Sequence, residues 1–355
     1  MNYILHILII FTLLSCKHEK EIGIILSTNH IKKDTLLNRE LICVLKDNVE
    51  VIGDIKSIAI AGDNRFVVST SKPANVMVHD FNGNQITKIG SEGKGPYQYL
   101  QPSIVRYFNN QLFIWCAINL RLIVYDIHGN PQYELNNFGR SIDDFTVDQN
   151  KIFVKMDGGF RGKVLEKLDV KTGSLISNYG EYSKEDIVMG LLGKSGGLTQ
   201  FNNQVLFMQP SKLALNFIDK HTDSLKPVDI EDPDFKVDQI HGNPINYINN
   251  NRTSALNYIY HNSVVTKLVA SQNEIVIFTE NGHFKFKDQQ IDNEERFVKI
   301  YILNRDLQLK KIVKKHHSFH DANYLYDSYD GKIYNIHSDI KDDDLKYTLS
   351  EVLFN

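Results

Sequence analysis

His316, His317 and His320, followed by Asp321, form the densest group of metal-ligating side chains in the sequence. On a helix, His316 and His320 would share one face and could hold a zinc ion. A zincin also needs a glutamate directly after the first histidine as its general base, and His317 stands there instead. The group follows an apolar run that ends near Val313, so it reads as a loop joining two strands. Such a loop can line the mouth of a fold and contact a ligand.

Other chemistry is excluded by spacing. Gly90-Ser91-Glu92-Gly93-Lys94-Gly95-Pro96 is rich in glycine, but it follows a strand pattern and opens no helix. A phosphate loop at Gly193-Lys194-Ser195 would need glycine where Val188 stands. No Gly-x-Ser-x-Gly nucleophile elbow occurs. Asp342-Asp343-Asp344 reads as a charged turn, and Asp288, Asp292, Glu294 and Glu295 do not follow calcium-loop spacing. Asp34-Thr35-Leu36 and Asp223-Ser224-Leu225 have the form of an O-glycosylation triplet, at a frequency that chance explains. Residues 231–262, rich in Asn, Ile and Tyr, are too long for an ordinary connection and read as a binding loop. Within it, Asp238–Tyr260 is the candidate partner contact, carried by Tyr247, Tyr258 and Tyr260.

The balance of charge narrows the partners. Lys and Arg number 40 against 43 Asp and Glu, a formal net charge of −3, and no basic face for nucleic acid is expected. Three cysteines, Cys16, Cys43 and Cys116, exclude a disulfide scaffold and a four-cysteine zinc site. Cys43 and Cys116 lie in apolar runs and read as small buried hydrophobes. Ile4–Leu14 is apolar but too short to span a bilayer, as in the core of a signal peptide. The run ends in Leu13-Leu14-Ser15-Cys16, which resembles the lipobox of bacterial lipoproteins, although Met1-Asn2-Tyr3 brings no basic side chain. That resemblance implies a lipidated Cys16 carrying diacylglycerol and palmitate, with membrane contact through the anchor alone. The domain reading is therefore a signal peptide over 1–15, a tether over 16–35 and one folded domain over 36–355.

The elements that must position any site recur along the mature chain. Six inner hairpins occur: Ala59–Val68, Val105–Trp115, Phe145–Val154, Thr199–Phe207, Leu268–Phe278 and Tyr324–Ile336. Each turns at Asn or Gly, at Asn64, Asn110, Asn150, Asn203, Asn273 and Gly331, residues suited to positive φ. Runs such as Phe66-Val67-Val68 and Ile275-Val276-Ile277-Phe278 suit strands buried on both faces. Five outer hairpins of period-2 strands lie between them, and a single strand, Leu345–Phe354, follows the sixth inner hairpin. Four strands every 40–50 residues or so is the period of a propeller blade. A ring must close, so Glu40–Leu45 or Glu50–Ile52 is expected to fill the missing outer place. The expected fold is all-β, a six-bladed β-propeller with its last blade completed by an N-terminal strand. Helix is expected only at Asp186–Leu192.

The segment His79-Asp80-Phe81-Asn82-Gly83-Asn84-Gln85 through Lys88-Ile89-Gly90-Ser91-Glu92-Gly93-Lys94-Gly95-Pro96-Tyr97 resembles the six-bladed β-propeller lipoproteins of Bacteroidota, NHL-like and of the DUF4934 kind. Their Gly-Glu-Tyr is replaced here by Tyr97-Gln98-Tyr99. The resemblance implies a lipid-anchored cell-envelope protein, at the outer membrane, and brings no catalytic residues. Two functions stay open. One is a non-enzymatic binding or assembly module whose partner is an envelope protein or glycan, without cofactor and without nucleic acid. The other is a hydrolase or lyase acting on glycans or lactones through a metal in the central channel. A channel mouth with three or more converging carboxylate, His or Asn groups would favour catalysis, and an aromatic, uncharged mouth would favour binding. The connections Gly90–Gln101, Phe138–Asp143, 231–262 and Lys314–Asn323 all join outer to inner strands, so they are expected to share the working face.

Overall fold

A computed structural model describes residues 24–27, 33–34, 38–46, 52–62, 64–136, 138, 141–158, 162–250, 252–281, 286–287, 290–291, 297–316, 325–341 and 344–354. Six sheets, each with four antiparallel strands, form the blades of a β-propeller, and in five of them the four strands run in sequence order. From the axis outwards, blade 1 is Ile55–Ile60, Arg65–Ser71, Ala74–Asp80 and Gln85–Lys88. Blade 2 is Pro102–Phe108, Gln111–Cys116, Arg121–Asp126 and Pro131–Leu135, and blade 3 is Ile142–Asp148, Lys151–Met156, Leu165–Asp169 and Leu175–Tyr179. Blade 4 is Gly197–Phe201, Gln204–Met208, Ala214–Asp219 and Leu225–Glu231, and blade 5 is Val264–Ala270, Glu274–Asn281, Phe297–Asn304 and Leu309–His316.

Blade 6 has only three strands from the C-terminal segment, Leu325–Tyr329, Lys332–Lys341 and Asp344–Leu353. Its outermost strand is Asn38–Val44, antiparallel to Asp344–Leu353 with Asn38 opposite Leu353 and Val44 opposite Thr348. The closure expected from the strand count is therefore the one observed. Leu45 N donates to Tyr347 O at 2.9 Å and Lys46 N to Gly83 O at 3.0 Å, which ties the closing strand to blade 1 as well. Gly83, at φ +81, lies so close that a Cβ would meet Val44 O at 2.0 Å, so this turn tolerates no side chain.

The hydrophobic effect is distributed between blades rather than within one central core. Six clusters of buried side chains each span the seam between two neighbouring blades. Second strands touch both seams: Phe66, Val67 and Val68 are each 0% exposed. Such strands need continuous apolar runs, the signal that the sequence carries. The outer hairpins share a turn in which Asp80, Asp126, Asp169 or Asp219 accepts two backbone N–H bonds from residues just ahead of it. All four are held below their ordinary range, Asp80 and Asp126 chiefly by the side-chain amides of Asn84 and Asn130 that donate to them, Asp169 and Asp219 chiefly by the backbone bonds. In the inner hairpins, positive φ falls on Gln149 and Asn202 rather than on Asn150 and Asn203.

Two expectations are corrected. Within the segment read as a tether, Ile24–Ser27 adds a parallel fifth strand to blade 4 and Lys33–Asp34 does the same for blade 5. The outer strands of those blades offer free backbone N–H and C=O groups, which a passing extended chain can satisfy. Helix is also more extensive than expected: α1 (Lys184–Leu191), α2 (Pro244–Asn250) and α3 (Arg252–His261). A capping box starts α1, with Asp186 N donating to Ser183 Oγ and Ser183 N to Asp186 Oδ2, both at 3.0 Å.

Candidate functional site: the central channel

Of the residues singled out by sequence, the structure describes His316, Tyr247, Tyr258 and Tyr260. His316 ends the outer strand of blade 5, in register with Phe297, while His317 and His320 lie outside the described residues, as does Cys16. Tyr247 and Tyr258 pack edge to face at 5.8 Å, within a small core shared by Val188, Met189, Ile240 and Val264. The Tyr258 hydroxyl donates to Asp238 O at 2.6 Å, and burial raises its pKa. The insertion is thus a folded helical cap docked on α1, held by Glu185, whose Oε1 accepts from Ile240 N at 2.7 Å. Tyr258 is committed to that core, and Tyr260 is partly exposed at the end of α3. Periodicity missed these helices because α3 is weakly amphipathic and is held by tertiary packing.

The insertion is anchored by a buried ion cluster. Lys299 Nζ donates to Asp232 Oδ1 and Oδ2 at 2.9 and 2.8 Å and to Asp234 Oδ2 at 2.6 Å. Tyr301 Oη donates to Asp232 Oδ2 at 2.7 Å. The linker of blades 1 and 2 is likewise a structural latch. Gln98, standing where the resemblance has glutamate, accepts from Gly95 N at 2.9 Å and donates to Ser91 Oγ at 3.3 Å. Arg121 donates to Lys94 O and Gly95 O, both at 3.0 Å, and pairs with Glu134 at 3.3 Å. Gly90 has φ +66 and a Cβ there would meet Tyr125 Oη at 2.4 Å. The glycine-rich run serves this latch, in keeping with its reading as a blade-to-blade linker.

The chemistry converges elsewhere, on the axis. A cavity of about 380 Å³ lies in the channel and is lined by the inner strands of all six blades. Arg106, Thr146, Thr199 and Asp327 each sit two residues before the last cross-strand pair of their hairpins, so register alone places them in one layer. Asp144 and Lys267 lie deeper, two residues further from the turns of their strands. Tyr107, Asn109, Ser328 and Tyr329 line the end nearest the hairpin turns. The cavity therefore lies toward the turn face, opposite the long connections that were expected to make the working face.

Arg106 staples three blades. Its Nη2 pairs with Asp144 Oδ1, its Nε donates to Phe145 O at 3.0 Å, and its Nη1 donates to Val105 O at 2.8 Å and Ser57 Oγ at 3.5 Å. Gln200 Nε2 donates to Thr146 Oγ1 and Val147 O at 2.7 and 2.6 Å, joining blades 3 and 4. Asp327 Oδ2 accepts from Ile60 N at 2.7 Å across the closing seam. Burial lifts its pKa, against the downward pull of Arg106 and the Ile60 N–H. Burial lowers the pKa of Lys267, with Asp144 and, more weakly, Asp327 pulling it upward and Arg106 downward. Neither Lys267 nor Asp327 makes an ion pair among the described residues, whereas every other charge in the channel is paired.

This mouth meets neither expected pattern, for its lining mixes two cations, Arg106 and Lys267, with one carboxylate, Asp327, one Asn and tyrosines. The set does not fit a metal ion. Asp144 is held by Arg106 and by Phe145 N at 2.8 Å, and the cationic Arg106 and Lys267 oppose a second cation. Among the described residues no three His, Cys, Asp or Glu side chains gather as a metal site. A larger depression of about 520 Å³ lies at the seam of blades 6 and 1, but its Lys332 and Glu351 neutralise each other at 2.7 Å. Cys43 and Cys116 are buried, and burial pushes their thiols up to about 11 and about 12. The sequence signal missed was a charge on the channel-facing side of an inner strand, as in Val265-Thr266-Lys267-Leu268.

Comparison with known proteins agrees with this architecture. Residues 29–229, more than half of the chain, match DUF5128, a 6-bladed beta-propeller family, and the chain belongs to that family. A Bacteroides fragilis protein predicted to be exported is similar in fold, with a TM-score of 0.65 and 12% identity over 94% of this chain and 99% of its own. A DUF4221 family member from Bacteroides vulgatus gives a TM-score of 0.62 and 12% identity over 90% of this chain and 98% of its own. No curated protein matches the chain. No helix among the described residues is long and apolar enough to cross a membrane.

Proposed function

We propose that the protein is a lipid-anchored binding module of the cell envelope, held at the outer membrane through Cys16 and taking a small polar ligand in the channel. The observation that carries the binding role is the cavity of about 380 Å³ with polar groups from five of the six blades and two charges, Lys267 and Asp327, that make no ion pair among the described residues. Propellers usually use such an axial cavity for ligands, and the volume falls in the range of about 300–1,000 Å³ common for small-molecule sites. The envelope address rests on the Leu13-Leu14-Ser15-Cys16 pattern and on the export predicted for the B. fragilis fold relative. An envelope protein or glycan remains the proposed larger partner, for which the rigid ring is a platform.

Native mass spectrometry of the purified protein after incubation with a small-molecule extract of the envelope tests the channel. A ligand adduct is expected with the natural chain and not with Thr199→Trp, which fills the cavity. An adduct that survives in Thr199→Trp, or none in either protein, refutes channel binding. Fractionation of Cys16→Ala tests the anchor, since the variant should leave the membrane fraction.

A further inference from the structure

Lys267 and Asp327 stand on the inner strands of adjacent blades, 5 and 6, and both line the channel cavity. Lys267 has no hydrogen-bond partner among the described residues, and Asp327 binds only backbone N–H groups, of Ile60 and Ser328. The other two channel charges already neutralise each other, because Arg106 pairs with Asp144. A lone ammonium away from bulk water is costly, and so is a lone carboxylate. Opposite charges left unjoined across a cavity are complementary to a molecule that carries both signs. Resting on the channel-binding reading above, we infer that the channel takes a small zwitterion, an α-amino acid or short peptide, its carboxylate on Lys267 and its ammonium on Asp327.

The geometry agrees with the class. Arg106 lies within electrostatic reach of both Lys267 and Asp327, and Thr146 and Thr199 on blades 3 and 4 line the same cavity with neutral hydroxyl groups. A ligand with one charge would neutralise one residue and leave the other uncompensated. A zwitterion neutralises both without changing the net charge of the channel.

Calorimetry and thermal unfolding of the full mature chain with alanine and dialanine, against acetate and methylamine, test the inference. Both zwitterions should bind saturably and raise Tm, and acetate and methylamine at the same concentration should not. Lys267→Met and Asp327→Asn should each weaken zwitterion binding at least tenfold while keeping the natural circular-dichroism spectrum. If either variant fails to fold, Thr199→Trp serves in its place and must abolish the response. Equal binding of acetate or methylamine would overturn the zwitterion and leave the channel-binding reading standing. No response to any of the four compounds, with an extract adduct still lost in Thr199→Trp, would overturn the ligand class alone. No response together with a large stability loss in Lys267→Met would make Lys267 and Asp327 a water-bridged structural pair and overturn the site.

Discussion

Blade 5 holds two lysines in opposite circumstances. Lys299, on the third strand, is 1% exposed and meets three carboxylate oxygens on Asp232 and Asp234. Lys267, on the inner strand, faces the channel and meets none. The first is a joint that fastens the helical insertion to the ring. The second stores an unsatisfied charge in a cavity large enough for a ligand. Pairing therefore separates charges that hold the fold from charges that await a partner.

Opening the ring should abolish both neighbourhoods at once. Deleting residues 1–46 removes Asn38–Val44 and bares the edge of Asp344–Leu353. The expected outcome is aggregation or loss of cooperative unfolding, read by size exclusion and urea denaturation. Deleting 1–32 removes, among the described residues, the short fifth strand on blade 4 and should leave a folded ring with a small loss.

Next in size is Lys299→Met, which strands Asp232 and Asp234 beside an apolar side chain. Breaking one partner of a buried pair costs about 3–5 kcal/mol, measurable as a shift in the urea midpoint. A loss below about 1 kcal/mol would mean that Lys299 is no joint, and the comparison with Lys267 would collapse.

A third lysine lies between these extremes and adds a pH test. Lys155 Nζ donates to Asp143 Oδ2 at 3.2 Å and to Tyr182 Oη at 3.5 Å. Burial lifts Asp143 to about 6 despite Lys155, with Asp157 adding to the rise. The unfolded chain loses this proton first, so the folded state binds more protons between about pH 4 and 6. The contribution of Asp143 is therefore complete below about pH 4 and declines as pH rises toward 6, by up to about 3 kcal/mol. Asp143→Asn should remove that slope from Tm measured across this window. An unchanged slope would assign it to other groups.

The smallest expected effect is on stability in Lys267→Met. Replacing a lone half-buried charge with an apolar side chain of similar length should change stability by less than about 1 kcal/mol, or raise it. A loss as large as that of Lys299→Met would erase the distinction between the two lysines.

Much of the ring was legible because its signals are local. Asn64 and Asn110 take positive φ at the hairpin turns, and Phe66-Val67-Val68 announces a strand buried on both sides. The missing outer strand of blade 6 followed from counting. The site was not legible, since Arg106, Asp144, Lys267 and Asp327 are scattered over more than two hundred residues and look like ordinary strand charges. The tyrosine candidates were chosen for density in sequence, which does not tell a core residue from a ligand contact. Tyr258 shows the reason: its ring packs against Tyr247 because α2 and α3 fold onto α1.

By itself, the sequence determined strands, turns and the number of blades, because alternation, apolar runs and turn residues act over a few neighbours. It also determined that one outer strand had to come from the N-terminal side, since an open edge is unfavourable. Only the tertiary structure decided which charges are paired. Whether a lysine meets carboxylates depends on how blades rotate about the axis, and that is set by packing at six seams at once. Ring closure placed Lys267 and Asp327 on one cavity without joining them, and no local rule of sequence carries that distance.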